Sequence, residues 1–586
     1  MTQAHAFTAR QVLSEAIGHH QGGRLKEAER LYREILTHDP DQPEALHLLG
    51  VVALQSGRGA VAVDLLTRAV EASPEEAECH YNLALALSGA GDLAQARTHF
   101  ERALVLKPDF PEAHNNLGNI LKDQGALAEA ARHYRAAVGL APNHSIAHSN
   151  LAEVLYDSGA FAEAAVHYRQ AIALAPEDEV THFGLGKTLQ RLGSLAEAAE
   201  SYRQLLALRP DFAEAALNLG NVLKDQGALT EAIDAYRRAL ALKPDFAAAY
   251  NNLANVLKDQ GALTEAIAAY EQALALMPDY AEAHRNLGVA LEKQGRLEEA
   301  VNACCRAVTF RPDYAEAYLH LGYVLEKQQQ RHEAAVHYRH AIALAPDHKN
   351  AYAARARLAL PGPDYFEVLE ALHAHLEPAT YVEIGVQEGN SLSCARSGTV
   401  CVGIDPKPRI NRHIAARVKI FAQTSDAFFA SHDLAQELGG ALQMAFIDGL
   451  HLFEAALEDF INLERYAARD SIVLFHDCLT LDAATSMRTE HPAFWAGDTW
   501  KVIPCLKQYQ PDLSIFTIAT APTGLVVVGN LNPHSTVLSE NFEEILAHYV
   551  PLDYEYLESD KNAILNVIAN DWELIERHLG MIGQNS

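Results

Sequence analysis

The chain has 586 residues, 49% of them hydrophobic and 21% charged, a globular mix too long for a single core. Its formal net charge of −29 excludes a general basic surface for nucleic acid. No apolar run approaches the ~20 residues of a membrane span, and Met1 to Arg10 lacks the apolar centre of a signal peptide. Seven cysteines are scattered at 79, 304, 305, 394, 401, 478 and 505, without a zinc-type pair, so reduced thiols and a cytoplasmic location are expected.

From the N-terminus the dominant signal is a 34-residue period. Proline recurs in register at Pro40, Pro74, Pro108, Pro142, Pro176, Pro210, Pro244, Pro278, Pro312 and Pro346. Twelve residues before each stands alanine, from Ala28 to Ala334, and twenty-four before stands only Gly or Ala, as at Gly50, Ala84 and Gly118. Seventeen before stands glycine in nine of ten units, with Gln329 in the tenth. The small residues let two antiparallel helices approach. The mid-unit glycine ends the first helix in the left-handed conformation, and the proline stops the second. Such a helix pair buries its apolar face only against a neighbour, so stability resides in the stack.

This pattern resembles the tetratricopeptide repeat, in ten copies over 9–348, followed by a capping helix and linker over 349–361. An all-α superhelical solenoid is expected. Within it asparagine recurs at the sixth position of the unit: Asn82, Asn116, Asn150, Asn218, Asn252 and Asn286. Asn119, Asn221 and Asn255 follow on the same helix face. The row is similar to the asparagine ladder of the O-linked N-acetylglucosamine transferase repeats. That resemblance implies a groove for a protein or peptide partner, interrupted at Gly184 and His320. Repeat duplication with a solvated polar face is the plainer alternative.

Beyond Leu360-Pro-Gly-Pro-Asp364 the period ends, and short apolar strands alternate with helical stretches, the pattern of an α/β domain with a parallel sheet. Strands are expected at 380–384, 399–404, 417–421, 443–447 and 471–475. Each ends in polar residues: Gly385-Val-Gln-Glu-Gly389, Asp405, Ser425-Asp426, Asp448-Gly-Leu-His451 and His476-Asp477. Ligands of open α/β sheets bind at that edge. A glycine turn opening a helix suits close approach of a ligand, and Asp405, 20 residues after Gly385, suits ribose hydroxyls. A dinucleotide fingerprint requires a middle glycine, where Gln387 stands.

The form Glu383-x-Gly385-x-x-x-Gly389 instead resembles motif I of class I methyltransferases, with a Rossmann-like fold over 362–535. Phe446-Ile-Asp448-Gly-Leu-His451 and Val473-Leu-Phe-His476-Asp477 resemble the small-molecule and sugar O-methyltransferases, as do the later segments Thr499-Trp-Lys501 and Ala521-Pro-Thr-Gly524. The resemblance implies S-adenosylmethionine as cofactor, held by Glu383, Gly385, Gly389, Asp405 and Asp426, the last beside adenine. It implies a small-molecule or glycan hydroxyl as methyl acceptor. His451 is the candidate general base, with Asp448 beside it. Asp448, His476 and Asp477 form a second candidate set, for a divalent metal such as Mg2+, although His476 stands where metal-dependent relatives often carry an acid. Residues 536–586 are expected to be helical. Two other functions compete: an interaction scaffold with a vestigial methyltransferase domain, and a glycosyltransferase. The second would need a larger catalytic region than the roughly 225 residues after the repeats.

Overall fold

A computed structural model describes residues 3–489 and 495–583. The chain separates into two units, 1–278 and 279–586, each taken by itself below.

The first unit holds eight helix pairs among its described residues, from Gln3–Gln21 with Leu25–His38 to Ala247–Asp259 with Leu263–Leu276. Each mid-unit glycine ends the first helix of its pair at positive φ, as at Gly125 (+77°) and Gly227 (+79°). The chain then folds back through bonds such as Ala126 N–H to Leu121 O, 2.9 Å. The second small position has a packing cause. A Cβ on Gly118, Gly186 or Gly220 would come within 2.6, 2.7 and 2.5 Å of the rings of Tyr134, Tyr202 and Tyr236. Those three rings are fully buried. The ring of the second helix fills the space the glycine vacates, at the density of a protein interior.

The second unit opens with the pairs Ala281–Lys293 with Leu297–Phe310 and Ala315–Lys327 with Arg331–Leu344, then a single helix Lys349–Ala359. That last helix buries Ala351, Tyr352, Ala354 and Ala356, as a capping element does. A helix Tyr365–Leu376 follows, started by a capping box between Asp364 and Glu367. It leads into eight strands: β1 (Thr380–Ile384), β2 (Val400–Ile404), β3 (Arg417–Phe421), β4 (Leu442–Ile447), β5 (Ala467–His476), β6 (Ser514–Ile518), β7 (Leu525–Gly529) and β8 (Val567–Ile568).

The strands form one sheet in the order β3-β2-β1-β4-β5-β7-β6-β8. β1 to β5 are parallel, and β7 runs antiparallel between β5 and β6. Ile384 pairs with Ile404 on one side and Ile447 on the other, and Ile447 pairs with Phe475, so the strand ends finish level. One apolar core lies on each face of the sheet. One gathers Phe453, Phe460, Trp500 and Ile503, the other Leu369, Leu372, Ile575 and Leu579. The parallel core of the sheet agrees with the sequence pattern. The segment 536–583 is mainly helical, apart from the two-residue β8, which pairs with β6. Its helices also supply Leu538, Ile545 and Leu565 to the first core and Ile575 and Leu579 to the second. It is part of the sheet domain rather than an appendage.

Candidate functional site

The level strand ends bring Gly385, Asp405, Asp448 and His476-Asp477 to one edge of the sheet. Gly385 has φ +92°, and a Cβ there would lie 2.0 Å from the carbonyl oxygen of Asp448. Only glycine lets the exits of β1 and β4 run so close, tied by Asp448 N–H to Ile384 O at 2.9 Å. The turn continues through Gln387 (φ +47°) to Gly389 (φ +80°). Gln387 N–H donates to Asp405 Oδ2 at 2.8 Å, and Lys407 N–H donates to Asp405 Oδ1 at 2.6 Å. Asp405 thus meets the glycine turn, as its spacing predicts, and its carboxylate also braces that turn. Arg409 N–H bonds Gln387 O at 2.7 Å, and Ile410 packs where a Gly389 side chain would stand.

Glu383 and Asp426 sit differently from one another. Glu383 is wholly buried and accepts the hydroxyls of Tyr381 and Ser391, both at 2.8 Å. Burial pushes its carboxyl up to about 8, against the pull of those two bonds. Asp426 is exposed at the start of the helix Ser425–Ser431. Its charge acts on Asp459, a buried carboxyl raised to about 7, first by burial and then by Asp426 and Glu458, while Ser425 opposes.

The exits of β4 and β5 build the most charged part of the edge. His451 Nδ1 lies 2.8 Å from Asp477 Oδ2, and its Nε2 lies 3.7 Å from Asp448 Oδ1. His476 Nδ1 stands between the same carboxylates, 3.1 Å from Asp448 and 3.2 Å from Asp477. His451 (φ +55°) and Asp477 (φ +59°) both adopt the left-handed conformation, a strain of about 1–3 kcal/mol each that clusters at functional sites. Burial alone would lower both imidazoles. Asp477 and Asp448 outweigh it, raising His451 to about 9 and His476 to about 10. Both rings are therefore cationic at neutral pH, and Asp477 is held far below the usual carboxylate range.

A second possible ligand group stands beside the expected Asp448, His476 and Asp477 set. Ligand atoms of Asp448, His451 and Asp477 lie within 4.8 Å of one another. His476 Nδ1 stands between the two carboxylates, and its Nε2 lies 3.4 Å from the Thr523 hydroxyl. Three side chains that the sequence reading missed complete the site. Thr523 donates to Asp477 Oδ1 at 2.5 Å, and the Tyr365 ring lies 4.1 Å from that of His476. Trp495 stacks on His451 at 5.2 Å and 9°. Thr523 fell inside the segment singled out around Gly524. Nothing local marks Tyr365, which arrives from the helix before β1.

The repeat asparagines form rows of amides linked from unit to unit. Asn150 Nδ2 donates to Asn115 and Asn119 at 2.9 and 3.1 Å, and Asn252 donates to Asn221 at 2.9 Å. Asn116 donates to the Tyr81 hydroxyl at 3.1 Å, and Asn82 meets His47 at 2.7 Å. Asn119, Asn221 and Asn255 accept the hydroxyls of Tyr134, Tyr236 and Tyr270 at 2.6–2.9 Å. Asn218 is half-buried, and in the second unit the buried Asn286 accepts from Arg285 at 3.1 Å. These amides reinforce the stack, a role that the spacing alone did not indicate.

Comparison with known proteins gives matching results for both regions. Models described as tetratricopeptide repeats match residues 13–77, 81–145 and 315–348, and a TPR-repeat model matches five overlapping stretches within 152–329. A model described as a methyltransferase domain matches 382–478. No curated protein matches the chain. Among solved structures, MamA is 30% identical over 28% of this chain and 97% of its own, with a TM-score of 0.27. YrrB, described as a TPR protein with an unusual peptide-binding site, is 25% identical over 31% of this chain and 95% of its own, with a TM-score of 0.28. PilF of Pseudomonas aeruginosa is 22% identical over 35% and 93%, with a TM-score of 0.31. The chain is a tetratricopeptide-repeat protein that carries a methyltransferase domain.

Proposed function

We propose that the C-terminal domain transfers a methyl group from S-adenosylmethionine to a hydroxyl of a sugar or other small acceptor, and that the repeats recruit the protein partner or substrate. The observation that carries this reading is the convergence at one sheet edge of the Gly385–Gly389 turn, Asp405 and the Asp448–His451–His476–Asp477 cluster. The turn and Asp405 fit an adenosyl group: each oxygen of the Asp405 carboxylate accepts one amide and keeps a second acceptor site for a ribose hydroxyl. Glu383, enclosed by Tyr381 and Ser391, supports the turn from beneath, and Asp426 remains the candidate for adenine.

Asp448, His451 and Asp477 fit a divalent cation by donor type and proximity. When bound, the sulfonium cofactor supplies an already activated methyl group, and a cation there would lower the pKa of an acceptor hydroxyl. The protein's own task is orientation and a route for one proton. His451 accepts a proton only in its neutral form, and Asp477 and Asp448 hold it charged. Base catalysis by His451 therefore requires those carboxylates to be engaged by a cation that His451 itself does not ligate. Tyr365, Trp495 and Thr523 fix the orientations of His476, His451 and Asp477.

Calorimetric titration of the full chain with S-adenosylmethionine tests the cofactor assignment. Asp405→Ala is expected to weaken binding roughly 10-fold or more, from loss of charge-assisted hydrogen bonds. Equal affinity in wild type and variant overturns it. A second reading, an interaction scaffold with a vestigial methyltransferase domain, has one observation on its side: the segment after Asp405 is bonded down over the glycine turn. That reading predicts no heat of binding from the wild-type chain.

A further inference from the structure

Three consecutive repeat units hold a pair of histidines at the same two places, apart from the asparagine rows. His80 meets His99, His114 meets His133, and His148 meets His167. Each pair joins the two helices of one unit: Ala77–Gly89 with Leu93–Leu106, Pro111–Asp123 with Leu127–Leu140, and Ser145–Asp157 with Phe161–Leu174. In every pair the two Nδ1 atoms lie 2.9–3.0 Å apart and the ring centroids 5.2 Å apart. The nitrogens therefore point end-on at one another, the geometry of a hydrogen bond. A shared cation would need both lone pairs to converge on a point beside that line. The fold does not demand imidazoles here. The unit before has Leu46 and Leu65 at the same two places, and later units have Ala216 with Ala235, Tyr250 with Ala269 and His284 with Ala303.

The proton of each bond can be located. His80, His114 and His148 donate Nε2–H to the carbonyls of Pro74, Pro108 and Pro142 at 3.0–3.1 Å. A neutral imidazole carries one N–H, so their Nδ1 atoms accept, and the N–H between the rings belongs to His99, His133 and His167. One added proton leaves the pair a donor and an acceptor. A second leaves N–H facing N–H, with two cations in contact and the bond lost. Burial lowers His99, His114, His133 and His167 below the usual histidine range, His133 to about 4. The partner ring acts next in size on His99, His133 and His167. Around His133, Arg132 also lowers, while Glu129 and Glu101 raise. Around His167, Glu163 raises and Arg135 lowers. The folded chain thus binds fewer protons here than the unfolded chain, and stability is lost as pH falls from about 6.5 toward 4.

We infer that residues 77–174 are an acid-sensitive segment of the array, in which full protonation of three histidine pairs uncouples the two helices of each of three consecutive units. The units at 213–276, built on the same plan without the pairs, hold together under the same conditions. The inference does not depend on the methyl-transfer reading.

Hydrogen exchange of the full-length chain, followed by mass spectrometry from about pH 7.5 to 5 with labelling times scaled to the intrinsic rate, tests it. Protection over 77–174 is expected to fall by about 10-fold or more relative to 213–276, which serves as the reference within the same chain. The triple variant His99→Ala/His133→Ala/His167→Ala copies the combination at His284 and Ala303. Its segment is expected to show the acid response of the reference helices, whatever its absolute protection. His133→Ala alone should give the same relief over 111–140 only. An equal acid response of 77–174 and 213–276 in the wild-type chain overturns the inference. So does an acid response of 77–174 that persists in the triple variant, or of 111–140 that persists in His133→Ala.

Discussion

The repeats and the sheet domain place their polar side chains by opposite means. In the repeats a partner is found at a fixed offset along the chain: 31 residues separate Asn150 from Asn119 and Asn252 from Asn221, and 15 separate Tyr134 from Asn119 and Tyr236 from Asn221. In the sheet domain the offsets are irregular. His476 meets Asp448 28 residues away, and Thr523 meets Asp477 46 residues away. A polar network in the repeats is reproduced unit by unit, so one fault stays local. The network at the sheet edge exists once, and every member depends on the strand order.

That contrast is most exposed at its glycines. Gly385→Ala would drive a Cβ into the Asp448 carbonyl, a backbone atom that cannot yield without separating β1 from β4. The expected outcome is loss of the sheet domain's cooperative melting transition, or destabilisation by more than about 4 kcal/mol, read by calorimetry while the helical transition persists. Retention of a normal sheet-domain transition would break the comparison. Next in size is Glu383. Its carboxyl is raised to about 8 in the folded chain, so the native state keeps a proton that the unfolded state gives up near its ordinary value. Stability is therefore lost as pH rises between about 4.5 and 8. Glu383→Gln removes this term, and its advantage over wild type should widen across that window to a few kcal/mol in urea unfolding. A constant difference from pH 5 to 8 contradicts the assignment.

Smaller effects belong to the repeats. Gly220→Ala sets a Cβ 2.5 Å from the Tyr236 ring, which can shift, and about 1–3 kcal/mol is expected from overpacking. Hydrogen exchange should show the loss confined to the neighbouring helices, with the sheet domain unaffected. Asn252→Ala removes one half-buried bond to Asn221, for about 1 kcal/mol. A loss several times larger would mean that the amide rows act cooperatively rather than unit by unit.

The same contrast explains what was legible in the sequence. Proline, alanine and glycine in register disclosed every helix pair, because each residue answers to a constraint within its own unit. The strands β1 to β5 were legible as apolar runs, and their polar ends marked Asp405, Asp448, His451 and Asp477 for one edge. The antiparallel β7 and the two-residue β8 were not, since pairing with a distant strand leaves little local trace. His476 stands among the candidate ligands by its position at the end of the fifth strand. The placing of its Nδ1 between Asp448 and Asp477 is set by the fold alone. The asparagines mark one helix face in the sequence, whereas the bonds that several of their amides make to adjacent units appear only in the fold.

Gln329 carries the remaining lesson. It stands where nine other units have glycine, yet it takes the same left-handed turn, at φ +66°. Its N–H still bonds Glu326 O at 2.9 Å, and Gln330 N–H bonds Leu325 O at 2.9 Å. The hairpin shape is thus enforced by the pair of helices it joins, and a side chain that dislikes the shape is carried along. One unit can therefore forgo its turn glycine while the two helices it joins keep their hairpin.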